Sequence, residues 1–168
     1  LRSSVAAHLG LPTAGLRPVA PHSDGLVQVL LAVTLHHAVA LTAKRLKGWH
    51  AALFPTGSSG MHRIAPGQWR KGPVQVISGP VSRKAVHYEG PPAATLGREM
   101  QAFLAWWRQS QGDMDGILRA GVAHFRFVTS HPFEDGNGRL ARTLTDMALA
   151  QDEALRGPVL QPFRADHA

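Results

Sequence analysis

The sequence predicts an all-α domain, a helical bundle carrying one small β-hairpin, and three observations predict it. Apolar residues recur three and four apart through most of the chain, the period of helices with one buried face. The short β-branched and aromatic runs typical of strands are confined to PVQVISG and AVHYEG, between Gln68 and Pro92. Cysteine is absent from the 168 residues, so neither a disulfide framework nor a thiolate zinc site organises the fold. With 44% hydrophobic residues, a chain of this length buries one sizeable core and requires no second domain.

In chain order, Pro12, Gly15, Pro18 and Pro21 follow a short apolar start. Residues 1–22 are therefore expected to be a brief helical end and an irregular connector, the remnant of a longer N-terminal region, with the main domain over 23–168. The opening LRSSVAAHLG has no basic start, long apolar run or cleavage site and does not begin with Met, so a cytoplasmic chain cut from a longer protein is expected. Ser23 and Asp24 offer capping side chains before LVQVLLAVTLHHAVALT, whose apolar residues lie on nearly every side and predict a core helix rather than a membrane span. The adjacent His36 and His37 point about 100° apart and do not form a same-face ligand pair. Thr42 caps the next predicted helix, AKRLKGWHAALF, in which Leu46, Trp49 and Leu53 face inward. PTGSSGMHRIAPG reads as loop; GSSG lacks a preceding strand and a Lys-Ser/Thr ending, and no chemistry is assigned to it.

The two strand-like runs, joined by GPVSRK, predict a hairpin over 74–90 whose register is left open by the long, Pro80-containing turn. Exposed, such a hairpin would dock another protein's extended segment; covered, it would be a loop packed on the helices. Thr95 opens a helix with Leu96, Met100, Phe103, Leu104 and Trp107 on one face. In GDMDGILRAGVAHFRFVTS, the spacing of Leu118, Val122 and Phe125 marks them as the inward residues, and Pro132 ends the helix at His131. Leu140, Leu144, Met147 and Ala148 mark the buried face of a last helix starting near Gly138 or Arg139.

Between these last two helices lies HPFEDGNGRLAR, residues 131–142, where the chemistry is concentrated. A loop that ends on a helix N-terminus presents unpaired N–H groups and positive dipole, and Gly136 and Gly138 permit the turns that aim those donors at one anion. Arg139 and Arg142, three apart, share a side of the first turn and can clamp two phosphates; the alternative for Arg142 is a pair with Asp146. A cation near a helix N-terminus opposes the dipole unless an anion is bound. Asp135 suits a Mg²⁺ held mostly through water and substrate phosphates, and otherwise forms a turn. His131 can accept the proton of an attacking hydroxyl. Phe133 reads as the anchor of the loop to the core. The formal net charge of +7 favours an anionic ligand or surface.

HPFEDGNGRLAR resembles the HxFx[D/E]GNGRxxR signature of the Fic (Fic/Doc, or Fido) family and matches it at every specified position. QWRKGPVQVISGP and AVHYEGPP resemble the flap region and its flank in bacterial Fic proteins, so the likeness covers about residues 24–150. The resemblance implies a Fic-like helical bundle that transfers AMP from ATP to a Ser, Thr or Tyr hydroxyl of a target protein. It implies His131 as general base and Asp135 as Mg²⁺ ligand. The backbone of Gly136, Asn137 and Gly138 would form the anion hole, Arg139 and Arg142 would hold the nucleotide, Phe133 would pack inward, and the flap at 74–90 would dock the target.

Many Fic proteins carry an inhibitory glutamate in [S/T]xxxE[G/N]. Thr95–Glu99 and Ser130–Glu134 have the spacing, but neither Glu precedes Gly or Asn, so an inhibitory segment is expected upstream of residue 1 or in another chain. The terminal RGPVLQPFRADHA resembles no continuation of the family. Doc-like phosphorylation is a sister chemistry whose members carry Lys where Gly138 stands. A basic module for nucleic acid or an acidic partner is a third reading, without a helix-turn-helix or aromatic stacking pattern behind it.

Overall fold

A computed structural model describes residues 2–16, 18, 21–78 and 85–156. Its element order is α1 (Arg2–His8), α2 (Pro21–Thr34), α3 (Ala43–Leu53), β1 (Ser58–Ser59), β2 (His62–Arg63), β3 (Gln75–Ser78), β4 (Ala85–Glu89), a 3-10 turn (Ala93–Thr95), α4 (Leu96–Gln109), α5 (Gly116–Ser130) and α6 (Asn137–Arg156). The fold is mostly α-helical with a small antiparallel hairpin at β3–β4, as the sequence predicts; a second short antiparallel pair, β1–β2, joins Ser58 to Arg63 and Ser59 to His62 within the stretch read as loop. The turn 79–84 and the tail 157–168 lie outside the described residues.

Helix α6 organises the bundle, with α5, α2 and α3 packed around it. Its Leu140, Leu144, Met147 and Ala148 are fully buried and meet Val29 and Val33 of α2, Leu46 and Leu53 of α3, and Phe103 and Phe127 of α4 and α5 in one core. Ser4 of α1 donates to Asp24 Oδ1 at 2.6 Å, which pins the N-terminal helix to the start of α2. No helix among the described residues is long and apolar enough to cross a membrane.

Two predicted details of α2 change. Helix α2 begins at Pro21, which places Ser23 and Asp24 inside its first turn rather than at a cap, and it ends at Thr34 instead of continuing to Thr42. Three carbonyls in and after its last turn, those of Ala32, His36 and Val39, are taken by the guanidinium of Arg45 from α3. That fork does what further helical turns would have done for those acceptors. Thr42 does cap α3, accepting from Arg45 N–H at 3.1 Å.

In α5 the inward face is not the large apolar stripe. Leu118 and Phe125 are 64% and 68% exposed, whereas Arg119, Ala120, Ala123 and Phe127 are buried. The cause is close packing of α5 on α6: a Cβ on Gly116 would fall 2.2 Å from the Asp152 side chain, so small residues must face inward. Arg119 is accommodated by donating to Trp107 O and Ser110 Oγ at 2.9 and 3.1 Å, with its guanidinium over the Trp107 ring.

Strands β3 and β4 pair Gln75 with Glu89 and Ser78 with Ala85, and a bulge falls between Val76 and Ile77. All five residues of β4 are exposed, so among the described residues the hairpin stands out from the bundle rather than under it. The Tyr88 hydroxyl ties it to α5 by donating to Thr129 O at 2.6 Å.

Candidate active site

The loop between α5 and α6 is held from inside. Phe133 is fully buried, stacked on His50 at 4.1 Å and 4° between planes, and flanked by Trp69 and Phe127. Burying a phenylalanine side chain contributes on the order of 2 kcal/mol. Its backbone is clipped by the Asn137 carboxamide, which accepts from Phe133 N–H at 3.0 Å and donates to Phe133 O at 2.8 Å. Asn137 is itself buried.

His131 is the C-cap of α5 and has φ 45°, the single non-glycine residue with positive φ among those described. Left-handed backbone is strained for such a residue and persists only where its surroundings impose it. Here Pro132 follows, Arg70 Nε holds the His131 carbonyl at 2.7 Å, and Arg70 N–H holds the Pro132 carbonyl at 2.8 Å. The His131 ring places Nδ1 3.2 Å from Val128 O. A carbonyl only accepts, so Nδ1 carries a proton, and in the neutral ring the lone pair is on Nε2.

Asp135 is fixed at both oxygens. Oδ1 accepts from Gly136 N–H at 2.5 Å, and Oδ2 accepts from the Ser59 hydroxyl. Burial pushes its carboxyl up, but Ser59, the Gly136 amide, Arg139 and His50 together outweigh it and hold the group below the usual carboxylate range. The Asp135 carbonyl accepts from His50 Nε2 at 3.2 Å, while His50 Nδ1 accepts from Gly67 N–H at 2.9 Å. Those two bonds select the neutral imidazole protonated at Nε2. Burial lowers the His50 pKa, the bond to the Asp135 carbonyl opposes this, Arg139 lowers it and the Asp135 and Glu134 charges raise it; burial prevails. Glu134 turns away, accepting from Ala65 N–H at 2.9 Å.

The first bond of α6 runs from Leu140 N–H to Gly136 O, so the amides of Asn137, Gly138 and Arg139 stand ahead of the helical ladder. The Gly136 amide differs from expectation, since its N–H serves the Asp135 carboxylate. Gly136 is required as glycine: φ is 78° and a Cβ would sit 2.8 Å from Phe54 Cε2. Gly138 has room for a Cβ, 3.7 Å from Arg142 Nη1, so its bareness keeps the helix N-terminus approachable rather than relieving a clash. The Arg139 guanidinium lies 4.6 Å from the Phe54 ring centre, and that of Arg142 reaches back over Gly138. Among the described residues no ion pair joins Arg142 to Asp146.

The structure thus gathers Asp135, Asn137, Gly138, Arg139 and Arg142 at the N-terminus of α6, with His131 at the end of α5, four residues ahead of Asp135. Among the described residues no cluster of three ligating side chains exists. One ionised carboxylate fits a divalent cation that arrives with phosphate oxygens and water, not one caged by protein alone. A cavity of about 300 Å³ opens beside Asp135, lined also by Ser59, His62, Arg63, Ile64 and Glu134. The sequence assigns no role to His50, Ser59 or Arg70. His50 lies on the inward stripe of α3, where a buried polar residue needs partners; Ser59 lies in GSSG, to which the sequence assigns no chemistry, and Arg70 in QWRKGPVQVISGP, whose likeness to the flap singles out no residue.

The chain is 33% identical over 115 residues to a uridine 5'-monophosphate transferase of Xanthomonas campestris, covering 65% of this chain and 21% of that relative. It is 35% identical over 83 residues to a protein adenylyltransferase Fic of Drosophila grimshawi, covering 46% and 17%. The chain therefore spans about a fifth or less of the length of these curated relatives. Its fold matches a Fic-domain-containing signaling protein from Bacteroides thetaiotaomicron with TM-score 0.63 at 20% identity, covering 89% of this chain and 55% of that one. The Fic/DOC family model matches residues 40–149, which is more than half of the sequence, and the chain belongs to the Fic/DOC family.

Proposed function

We propose that the chain is a protein adenylyltransferase, moving AMP from ATP to a Ser, Thr or Tyr hydroxyl of a target protein. The observation that carries this reading is the Nδ1–H bond from His131 to Val128 O, which leaves Nε2 as an acceptor in a loop ending on a helix N-terminus. In the reaction, the target hydroxyl oxygen attacks the α-phosphorus and its proton passes to His131 Nε2. The bond from that phosphorus to the β-bridging oxygen breaks, and pyrophosphate leaves. The amides of Asn137 and Gly138 and the guanidiniums of Arg139 and Arg142 stabilise phosphate oxygens as charge moves across them. A Mg²⁺ bound with the nucleotide would be held by Asp135 and would neutralise phosphate charge.

The exposed β4 supports the 74–90 hairpin as the place where the target segment adds as a strand. Arg142, exposed and without an Asp146 partner, is the group an inhibitory glutamate from outside this chain would engage. A cytoplasmic setting suits a cysteine-free chain using ATP.

A second nucleotide is favoured by one observation: the UMP-transferring relative aligns over more of this chain than the adenylyltransferase relative does. The test therefore offers α-labelled ATP and α-labelled UTP separately to the chain in cell lysate, beside His131→Ala. Label is expected on protein from ATP and is expected to vanish in the variant. Label from UTP alone would make the chain a uridylyltransferase. Labelling unchanged by His131→Ala, or no labelling beside salt-sensitive DNA binding that survives loss of Arg139 and Arg142, would overturn the reading.

A further inference from the structure

Arg70 is 4% exposed, and among the described residues it forms no ion pair. Its guanidinium is spent instead on three carbonyls: Nε to His131 at 2.7 Å, Nη1 to Gly72 at 2.7 Å and Nη2 to Pro91 at 2.6 Å. Gly72 lies just before β3 and Pro91 just after β4, so these are the two roots of the hairpin. The Arg70 amide adds the fourth bond, to Pro132. One planar fork thus joins both roots of the hairpin to the strained residue at the head of the motif. Gly90 makes room for it: a Cβ there would meet Val74 Cγ1 at 2.5 Å and Arg70 Nη2 at 3.3 Å.

We propose that Arg70 is a positioning residue that sets the His131 imidazole relative to the hairpin, so that the proton acceptor and the docked target move as one body. The role in turnover rests on the transfer reading; the mechanical coupling does not. A lysine at this position carries the charge but lacks the fork that reaches three carbonyls at once.

The test compares the full chain with Arg70→Lys, and with Gly90→Ala as a second variant, whose methyl displaces Val74 and crowds the guanidinium without removing it. Hydrogen exchange and the His131 ring resonances are read first, since neither needs activity. Losing charge-assisted bonds should speed exchange roughly tenfold at the 85–89 amides and at Phe133, and shift the His131 ring signals, while α6 amides stay protected. With ATP as probe and lysate protein supplying the acceptor hydroxyl, pyrophosphate release should fall about 100-fold in kcat with KM for ATP nearly unchanged, the signature of a misplaced acceptor. Faster exchange confined to the hairpin, with the His131 ring unmoved, would overturn the coupling. So would equal loss of protection throughout α6 in both variants, which would make Arg70 a general stabiliser. A wild-type chain that releases no pyrophosphate would sink the transfer reading, and the exchange result would still decide the coupling.

Discussion

Asn137 holds Phe133 by both ends of its carboxamide, accepting from the Phe133 amide at 3.0 Å and donating to the Phe133 carbonyl at 2.8 Å. The first residue of α6 thereby closes the loop that precedes it, and the motif becomes a ring rather than a strand of independent side chains. The asparagine of Gly-Asn-Gly thus serves folding with its side chain, while its backbone N–H stands ahead of the helical ladder.

Asn137→Ala leaves both buried Phe133 backbone groups without this partner and should cost about 2 kcal/mol of stability, read as a lower urea midpoint with unchanged slope. Asn137→Asp should be at least as costly, since a carboxylate would face the Phe133 carbonyl. A midpoint unchanged in both would show that the ring is not needed.

The two loop glycines should separate. Gly136→Ala forces a methyl against Phe54 at positive φ and should destabilise by about 1 kcal/mol or more. Gly138→Ala should leave the melting temperature nearly as it was while weakening ATP binding, because the added methyl meets no core atom and lies 3.7 Å from Arg142 Nη1. Thermal melts and calorimetric titration with ATP check the pair.

Stability should bend with pH at His50. Its folded pKa lies below the imidazole norm, so the unfolded chain binds the proton more tightly. The contribution is complete above about pH 6.5 and is lost as pH falls through the lower folded value. Asp135 follows the same sign in a more acid window, below about pH 3.9, because its carboxyl is also depressed. His50→Phe should keep the stack on Phe133, lose about 2 kcal/mol at pH 8, and flatten the first bend. Urea midpoints across pH 4.5 to about 8 would reveal it.

Arg139→Gln and Arg142→Gln should each weaken ATP binding roughly 10- to 100-fold, as expected for a lost charge-assisted contact, when measured in a His131→Ala background. Arg142→Gln should do so without changing the melting temperature, since its side chain is exposed. Undiminished affinity in either would remove that arginine from the phosphate site.

What sequence reveals here follows from which interactions leave a period. The inward faces of α3, α4 and α6 repeat at helical spacing because large apolar residues fill a deep core, and Thr42 announces its helix because capping is local. Helix α5 hides its face: where two backbones approach closely, alanine and glycine do the packing, and Leu118 and Phe125 are left outside. The end of α2 is set by Arg45, some ten residues downstream, and the site's supports are more distant still. His50 acts on Asp135, Ser59 on the same carboxylate and Arg70 on His131 across sequence separations of 85, 76 and 61. The motif itself is legible because its parts are contiguous; the residues that hold it are not, and each alone resembles an ordinary helix or loop residue.

The most direct measurement follows phosphorus. ATP labelled at the α-phosphorus and ATP labelled at the γ-phosphorus are incubated separately with the chain and lysate, and the modified protein is weighed by mass spectrometry. The α-label is expected to stay on the protein as an added adenylyl group, the γ-label to leave as pyrophosphate, and His131→Ala to abolish the first. Retention of γ-label with the mass of a phosphate alone would contradict adenylyl transfer.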